Sequence, residues 1–254
     1  MMDCVSVANM RYSDEMTIQG GVSSIELIRR AAYGVYCSVE WKSDAAIVCG
    51  SGNNGADGFA LACILQSHSI PCTVFTVSER LHEDAAYYAA QAADRGVSAR
   101  PYVQGCLRGY GIIVDCMLGT GFCGTPRLLY KQAMKEINAM DSYVVSVDIN
   151  SGMNGDTGAV DTAVVSDLTV AIGFVKNGQV LPSAEAYMKR LICVDVGIGL
   201  AVQENKICTH EEWAALRSER GSVDIQSCTL DGVCYFHCPR WLDMNVKKCD
   251  WQLH

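Results

Sequence analysis

No stretch of this sequence approaches the ~18 uncharged apolar residues that a membrane span requires, and no basic segment followed by an apolar core opens it, since Asp3 and Asp14 interrupt its start. A soluble cytoplasmic protein without membrane association is therefore expected. Cysteine falls short of a scaffold, because fourteen in 254 residues lies under the roughly 8–10 per cent of disulfide-built domains, so reduced thiols are expected. Basic charge is also scarce: 20 Lys and Arg against 28 Asp and Glu give a net charge of -8. That balance disfavours a non-specific nucleic-acid binder and leaves any anionic ligand to local dipoles. With half of the residues hydrophobic and 19% charged, a sizeable core can form and global disorder is excluded. Internal repeats and low-complexity segments are absent as well.

What is present is an alternation of apolar runs and amphipathic stretches. Residues 12–41 have helical spacing, with Ile25, Ile28, Ala32 and Val35 on one face and the Ser-x-x-Glu of a capping box at Ser23 to Glu26. Strands are expected at Ala45–Cys49, Cys72–Val77, Arg100–Val103, Ile112–Cys116, Tyr143–Asp148, Leu168–Ile172 and Leu191–Val196. Helices are expected after Gly58, at Glu83–Arg95 and at Pro126–Met140. Continuous apolar strands separated by helices predict an α/β fold on a mostly parallel sheet covered on both faces. Ligands of such sheets bind beyond the carboxyl ends of the strands. The pattern decays after Gly199, so residues 1–205 are expected to form the domain and 206–254 a loosely attached, Cys-rich tail with a short helix at Glu211–Arg217.

Four polar features fall at that edge of the sheet. The first is Gly50-Ser51-Gly52-Asn53-Asn54-Gly55-Ala56-Asp57-Gly58, where glycines permit close approach or positive φ and a helix N-terminus favours phosphate. Such a turn can be purely structural, but Asn53, Asn54 and Asp57 add polar groups that a plain turn does not need. The second is Gly119-Thr120-Gly121-Phe122-Cys123-Gly124-Thr125-Pro126, with Thr125 placed as N-cap and Pro126 as first helical residue. Thr125-Pro126 stands where an ATP-hydrolysing phosphate loop needs Lys-Ser/Thr, which excludes that class. The third is the pair Asp115 and Asp148 near strand ends, where a buried carboxylate needs a partner or cation. Asn54, Asp115 and Ser151 offer hard oxygen ligands, suited to an alkali or alkaline-earth cation rather than zinc. The fourth is Asp167 and Lys176 flanking a strand; such a lysine is ordinarily solvated and could meet a phosphate or a substrate carbonyl.

Taken in order, the runs Cys49 to Gly58, Ile113 to Pro126, Val144 to Gly152 and Asp167 to Gly178 resemble the YjeF N-terminal domain family, the NAD(P)H-hydrate epimerases. The shared motifs are Gly-Asn-Asn-Gly-x-Asp-Gly, Val-Asp-x-x-x-Gly-Thr-Gly and Val-Asp-Ile-x-Ser-Gly, and the resemblance extends from about Arg11 to Gly199. It implies a Rossmann-like three-layer αβα sandwich and an isomerase that interconverts the S and R epimers of hydrated NADH and NADPH in cofactor repair. Asn53, Asn54, Gly55, Ala56, Asp57, Gly119, Thr120, Gly121, Phe122, Cys123, Gly124, Thr125 and Asp148 would line the substrate site, while Asn54, Asp115 and Ser151 would hold K+. The resemblance further implies a homodimer and a separate ADP- or ATP-dependent dehydratase as pathway partner, since 254 residues leave no room for that domain here. Asp148 is the expected acid/base, with Lys176 assisting its charge.

Three positions depart from the family pattern: Ala56 replaces a glycine, Ser51 stands where a proline is displaced, and Asn150 replaces the proline between Ile149 and Ser151. Loss of that proline is expected to loosen the turn presenting Asp148 and Ser151. Two other readings compete. Gly50-x-Gly52-x-x-Gly55 with Glu79 could serve an NAD-dependent dehydrogenase, and a nucleotide-binding module disabled at Asn150 could bind without turnover. Cys228, Cys234, Cys238 and Cys249 near His210 and His237 fit no paired zinc spacing.

Overall fold

The computed structural model describes residues 1–220, 227–230 and 233–250. The chain opens with strand β1 (Met2–Val5) and two helices, α1 (Val7–Gln19) and α2 (Ser24–Tyr36). The single helix expected over 12–41 is thus divided. Gly20 closes the first helix, Gly21 takes φ 104°, and Ser23 caps the second by accepting from the Glu26 amide. Only half of the expected capping box forms, because the Glu26 carboxylate turns to Arg29 and Arg30 instead.

The alternation then proceeds as β2 (Ala45–Cys49), α3 (Asn53–Ser67), β3 (Cys72–Thr76), α4 (Glu83–Asp94), β4 (Ser98–Pro101), β5 (Ile112–Cys116), α5 (Leu128–Asn138), β6 (Tyr143–Val147), β7 (Leu168–Ile172), β8 (Val175–Lys176) and β9 (Leu191–Asp195). The later elements are β10 (Asn205–Cys208), α6 (His210–Arg220), β11 (Ser227–Leu230), β12 (Val233–His237) and β13 (Leu242–Lys248). Eight strands form one sheet in the order β13-β9-β7-β6-β5-β2-β3-β4, and all its pairings are parallel. Helices cover both faces. Ala45, Ile47 and Cys49 point into a core with α2, α3 and α4, whereas Ala46 and Val48 point into another with α5. This two-sided burial is why the strands read as unbroken apolar runs. Phe59, Leu61 and Leu65 of α3 are essentially fully buried, each stabilising by about 1.5–3 kcal/mol.

Strand order reverses at β2, whose neighbours are β3 on one side and β5 on the other. The loops after β2 and β5 therefore leave the sheet at a topological switch point, where such folds open a crevice. A second sheet, β11-β12-β10-β1-β8, packs beside the first. Residues 206–254 are not loosely attached among those described: β10 pairs with β1 and β12, and β13 extends the main sheet beside β9. Trp241 anchors this segment, its indole N–H donating to Gln179 O at 3.0 Å. Among the described residues, no helix is long and apolar enough to cross a membrane.

Candidate active site

A cavity of about 650 Å³ opens at the switch point, between the loops after β2 and β5 and the helices α1 and α2. The first glycine loop enters α3 with Gly52 as N-cap and no side-chain capping bond, so backbone N–H groups stay free at the cavity. Its glycines answer a need for space. A Cβ on Gly50 would lie 1.9 Å from Met117 O, one on Gly55 2.2 Å from Gly50 O, and one on Gly58 2.5 Å from Cys49 Sγ. None of these three has positive φ, so close approach alone requires them.

Ser51, Gly52, Asn53, Asn54 and Asp57 reach the cavity wall, but Gly55 and Ala56 stay behind it in the helix. In the second loop Gly119, Thr120, Gly121, Phe122, Cys123 and Thr125 line the cavity, while Gly124 at φ 88° forms the turn outside it. Helix α5 starts later than expected. Arg127, not Thr125, is its N-cap, because Pro126 is buried as part of the cavity wall and holds the chain extended.

Asp148 directly follows β6 with φ 67°, a left-handed backbone that aspartate tolerates better than most residues. Three backbone contacts hold it there: its N–H donates to Val170 O at 2.8 Å, its C=O accepts from Gln179 Nε2 at 2.9 Å, and Thr120 N–H reaches Oδ2 at 3.4 Å. Lys176 donates to Asp148 Oδ1, and also to Ile172 O at 2.9 Å. Lys176 is wholly buried and outside the cavity wall. The expected solvated lysine facing a ligand is thus an ion-pair partner behind Asp148. Asp167 lies elsewhere, paired with Lys189 at 2.7 Å.

Behind the loops, Asp115 is fully buried and accepts from Met117 N, Ser146 Oγ, Ser151 N and Ser151 Oγ at 2.5–3.2 Å. Burial pushes its carboxyl up, and these hydrogen bonds oppose the shift. Leu118 connects the expected cation ligands: its C=O accepts from Asn54 Nδ2 at 3.0 Å and its N–H donates to Ser151 Oγ at 2.8 Å. Asn54 Oδ1 is a buried side-chain oxygen without a hydrogen-bond partner among the described residues. An orphaned amide oxygen beside Ser151 and Asp115 fits an oxygen-coordinated cation.

The turn at Asn150 is pinned, contrary to the expected loosening. Its Nδ2 donates to Val164 O, Ser166 Oγ and Tyr187 O at 2.8–3.0 Å, and its Oδ1 accepts from Thr169 Oγ1 at 2.6 Å.

Sequence reasoning missed one wall entirely. Met10, Arg11, Asp14 and Ile18 of α1 line the cavity, as does His82 before α4. The spacing of Arg11 and Asp14 on one helical face was the available signal. Burial pushes Asp14 up to about 6, with Asp148 and Glu15 adding to the rise and Lys176 opposing it. Asp57 is pushed well above the usual carboxylate range by burial, then by Asp148 and Asp14. Glu79, the acid a dehydrogenase would need on ribose, is exposed and outside the cavity wall. Of the tail thiols, the Cys228 side chain lies outside the described residues; His210 Nδ1 and His237 Nε2 face each other at 3.4 Å.

The chain is 33% identical over 201 residues to the NAD(P)H-hydrate epimerase of Limosilactobacillus fermentum, covering 75% of this chain and 95% of that protein. It is 31% identical to the bifunctional NAD(P)H-hydrate repair enzyme Nnr of Coxiella burnetii, covering 74% of this chain but only 40% of that longer protein. The crystal structure of yeast ynu0 shares the fold, with a TM-score of 0.63 at 22% identity over 70% of this chain and 83% of that one. The model of the YjeF-related protein N-terminus matches residues 15–178, and the chain belongs to that family.

Proposed function

We propose that this chain is an isomerase that interconverts the S and R epimers of hydrated NADH and NADPH, in repair of the nicotinamide cofactors. The observation that carries this reading is Asp148, held in a left-handed conformation between two glycine loops with Lys176 against its carboxylate. Inversion at the carbon bearing the hydroxyl requires a proton carrier at the reacting ring, and Asp148 is the group that would act as acid/base. Lys176 would hold that carboxylate in place from behind. The free N–H groups at the start of α3 and the Gly119–Thr125 loop would hold the phosphates and ribose of the ligand. Exposure of Glu79 and the four bonds of Asn150 weigh against the dehydrogenase and the disabled module.

Asn54, Asp115 and Ser151 are the residues that would hold K+. Bound there, the ion would supply positive charge that offsets Asp115 and fixes the two loops. It would have no redox part among oxygen ligands. We further propose a cytoplasmic homodimer whose residues 1–205 carry the activity, with an ADP- or ATP-dependent dehydratase consuming its product.

The test supplies purified protein with the epimer that a separate dehydratase cannot use and follows recovery of reduced cofactor, with and without potassium. Faster recovery, lost in Asp148→Ala and dependent on potassium, is expected. Hydrate that binds without acceleration would reject the enzyme, and hydrate that fails to bind would reject the site.

A further inference from the structure

An inversion that breaks a bond on one face of a ring and remakes it on the other has a place for a second proton carrier, one for each face. Asp148 has a dedicated cation in Lys176. Two further carboxyls line the same cavity, Asp14 from α1 and Asp57 from α3. Neither has an ion-pair or hydrogen-bond partner among the described residues. Asp57 belongs to the same glycine-loop wall that Asp148 adjoins, whereas Asp14 comes from a helix that is neither sheet edge nor glycine loop.

Helix α1 is firmly placed to present it. Ser6 caps the helix, Asn9 Nδ2 donates to Val202 O at 2.8 Å and to Glu204 at 3.0 Å, and Ala201 N–H donates to Ser13 Oγ at 3.1 Å. These bonds tie the face opposite Asp14 to the segment that leads into β10 and leave Arg11 and Asp14 toward the cavity. We propose that Asp14 is a second catalytic carboxyl, which gives its proton to the departing hydroxyl of the hydrated nicotinamide ring while Asp148 receives a proton from water entering the other face.

This inference rests on the epimerase reading. Its steps balance. The C–O bond breaks as the oxygen takes the Asp14 proton and leaves as water, and the ring nitrogen lone pair forms the C=N+ bond. Water then adds to that carbon from the opposite face, the C=N electron pair returns to nitrogen, and the extra proton passes to Asp148. The reverse direction uses the two carboxyls in exchanged roles, and solvent resets them between turnovers.

The charges around Asp14 suit the role. Glu15 on its own helix, Asp57 on α3 and Asp148 after β6 are acidic, whereas Arg11 on α1, Arg127 before α5, His82 before α4 and Lys176 in β8 are the basic groups. Lys176 is bound to Asp148, which leaves Asp14 without a cation of its own. Burial, which holds Asp14 up to about 6, agrees with that charge distribution.

The experiment measures epimerisation by wild type, Asp14→Asn, Asp14→Glu and Asp57→Asn from pH 5 to 9, coupled to the separate dehydratase, with hydrate affinity measured by equilibrium dialysis. Asp14→Asn is expected to lower kcat about 100-fold or more, with affinity changed less than about threefold. Wild type should lose kcat/KM above about pH 6, Asp14→Glu should keep that alkaline limb, and Asp14→Asn should lack it. A loss confined to KM, an alkaline limb that survives in Asp14→Asn, or a limb removed by Asp57→Asn instead would overturn the assignment. Wild type that binds hydrate without acceleration would overturn the epimerase reading itself, and the role of Asp14 with it.

Discussion

Lys176 is fully buried, yet its ammonium reaches the carboxylate of Asp148, whose side chain keeps 15% of its surface on the cavity. A charge taken wholly out of water is tolerated only beside its partner, so each residue makes the other's position necessary. Lys176→Met should therefore cost about 3 kcal/mol in denaturant unfolding, since it strands a carboxylate. The double variant Lys176→Met/Asp148→Asn should recover a large part of that loss. Additive single-variant costs would show that the pair is not coupled.

Asn150 satisfies Val164 O, Tyr187 O, Ser166 Oγ and Thr169 Oγ1 from inside the protein. Asn150→Ala leaves several of these buried groups unpaired and should cost about 3 kcal/mol. Because Asn150 lies between Asp148 and Ser151, potassium dependence should also weaken in that variant. An unfolding midpoint equal to wild type would contradict this account of the turn.

Gly55 and Ala56 are neighbours with opposite tolerance. A methyl at Gly55 would meet Gly50 O at 2.2 Å, so Gly55→Ala should cost several kcal/mol or abolish soluble expression. Ala56→Gly, inside α3, should cost only about 1 kcal/mol through helix propensity and the lost methyl. Comparative thermal unfolding of the two variants checks the order.

Asp14 makes a pH-dependent contribution whose sign follows from its direction of shift. Below about pH 3 both folded and unfolded states hold the proton, and the residue is neutral to stability. As pH rises toward about 6, the unfolded chain releases its proton first and folding is progressively penalised. Above that value the cost, on the order of 2 kcal/mol, is complete. Asp14→Asn should thus raise stability at pH 7.5 and leave it unchanged at about pH 3, as read by denaturant midpoints at the two pH values.

The strands β2, β5 and β7 have the same bounds in the sequence pattern and in the fold, because two-sided burial writes itself as an uninterrupted apolar run. The glycine loops were equally legible, since close backbone approach admits no other residue at Gly50 or Gly55. Strands β1 and β8 were not legible. Four and two residues long, they gain their hydrogen bonds from partners elsewhere, as in Cys4 opposite Asn205. The same holds for β13, whose register on β9 shifts between Leu242 and Val246 and erases any alternation. At Asn150 the opposite error arose. A missing proline read as looseness, when the amide that replaced it makes bonds visible only after Val164 and Tyr187 have come together.

By itself the sequence determined the alternation of strand and helix, the two glycine loops and the presence of carboxylates at strand ends, all properties encoded within one element and its adjoining turn. Only tertiary structure decided which carboxylate received a cation, that α1 carries Asp14 to the cavity, and that residues beyond 205 complete both sheets. Those outcomes depend on desolvation and on contacts between segments as far apart as Asn9 and Val202. Local periodicity contains no record of which distant group will share a buried space.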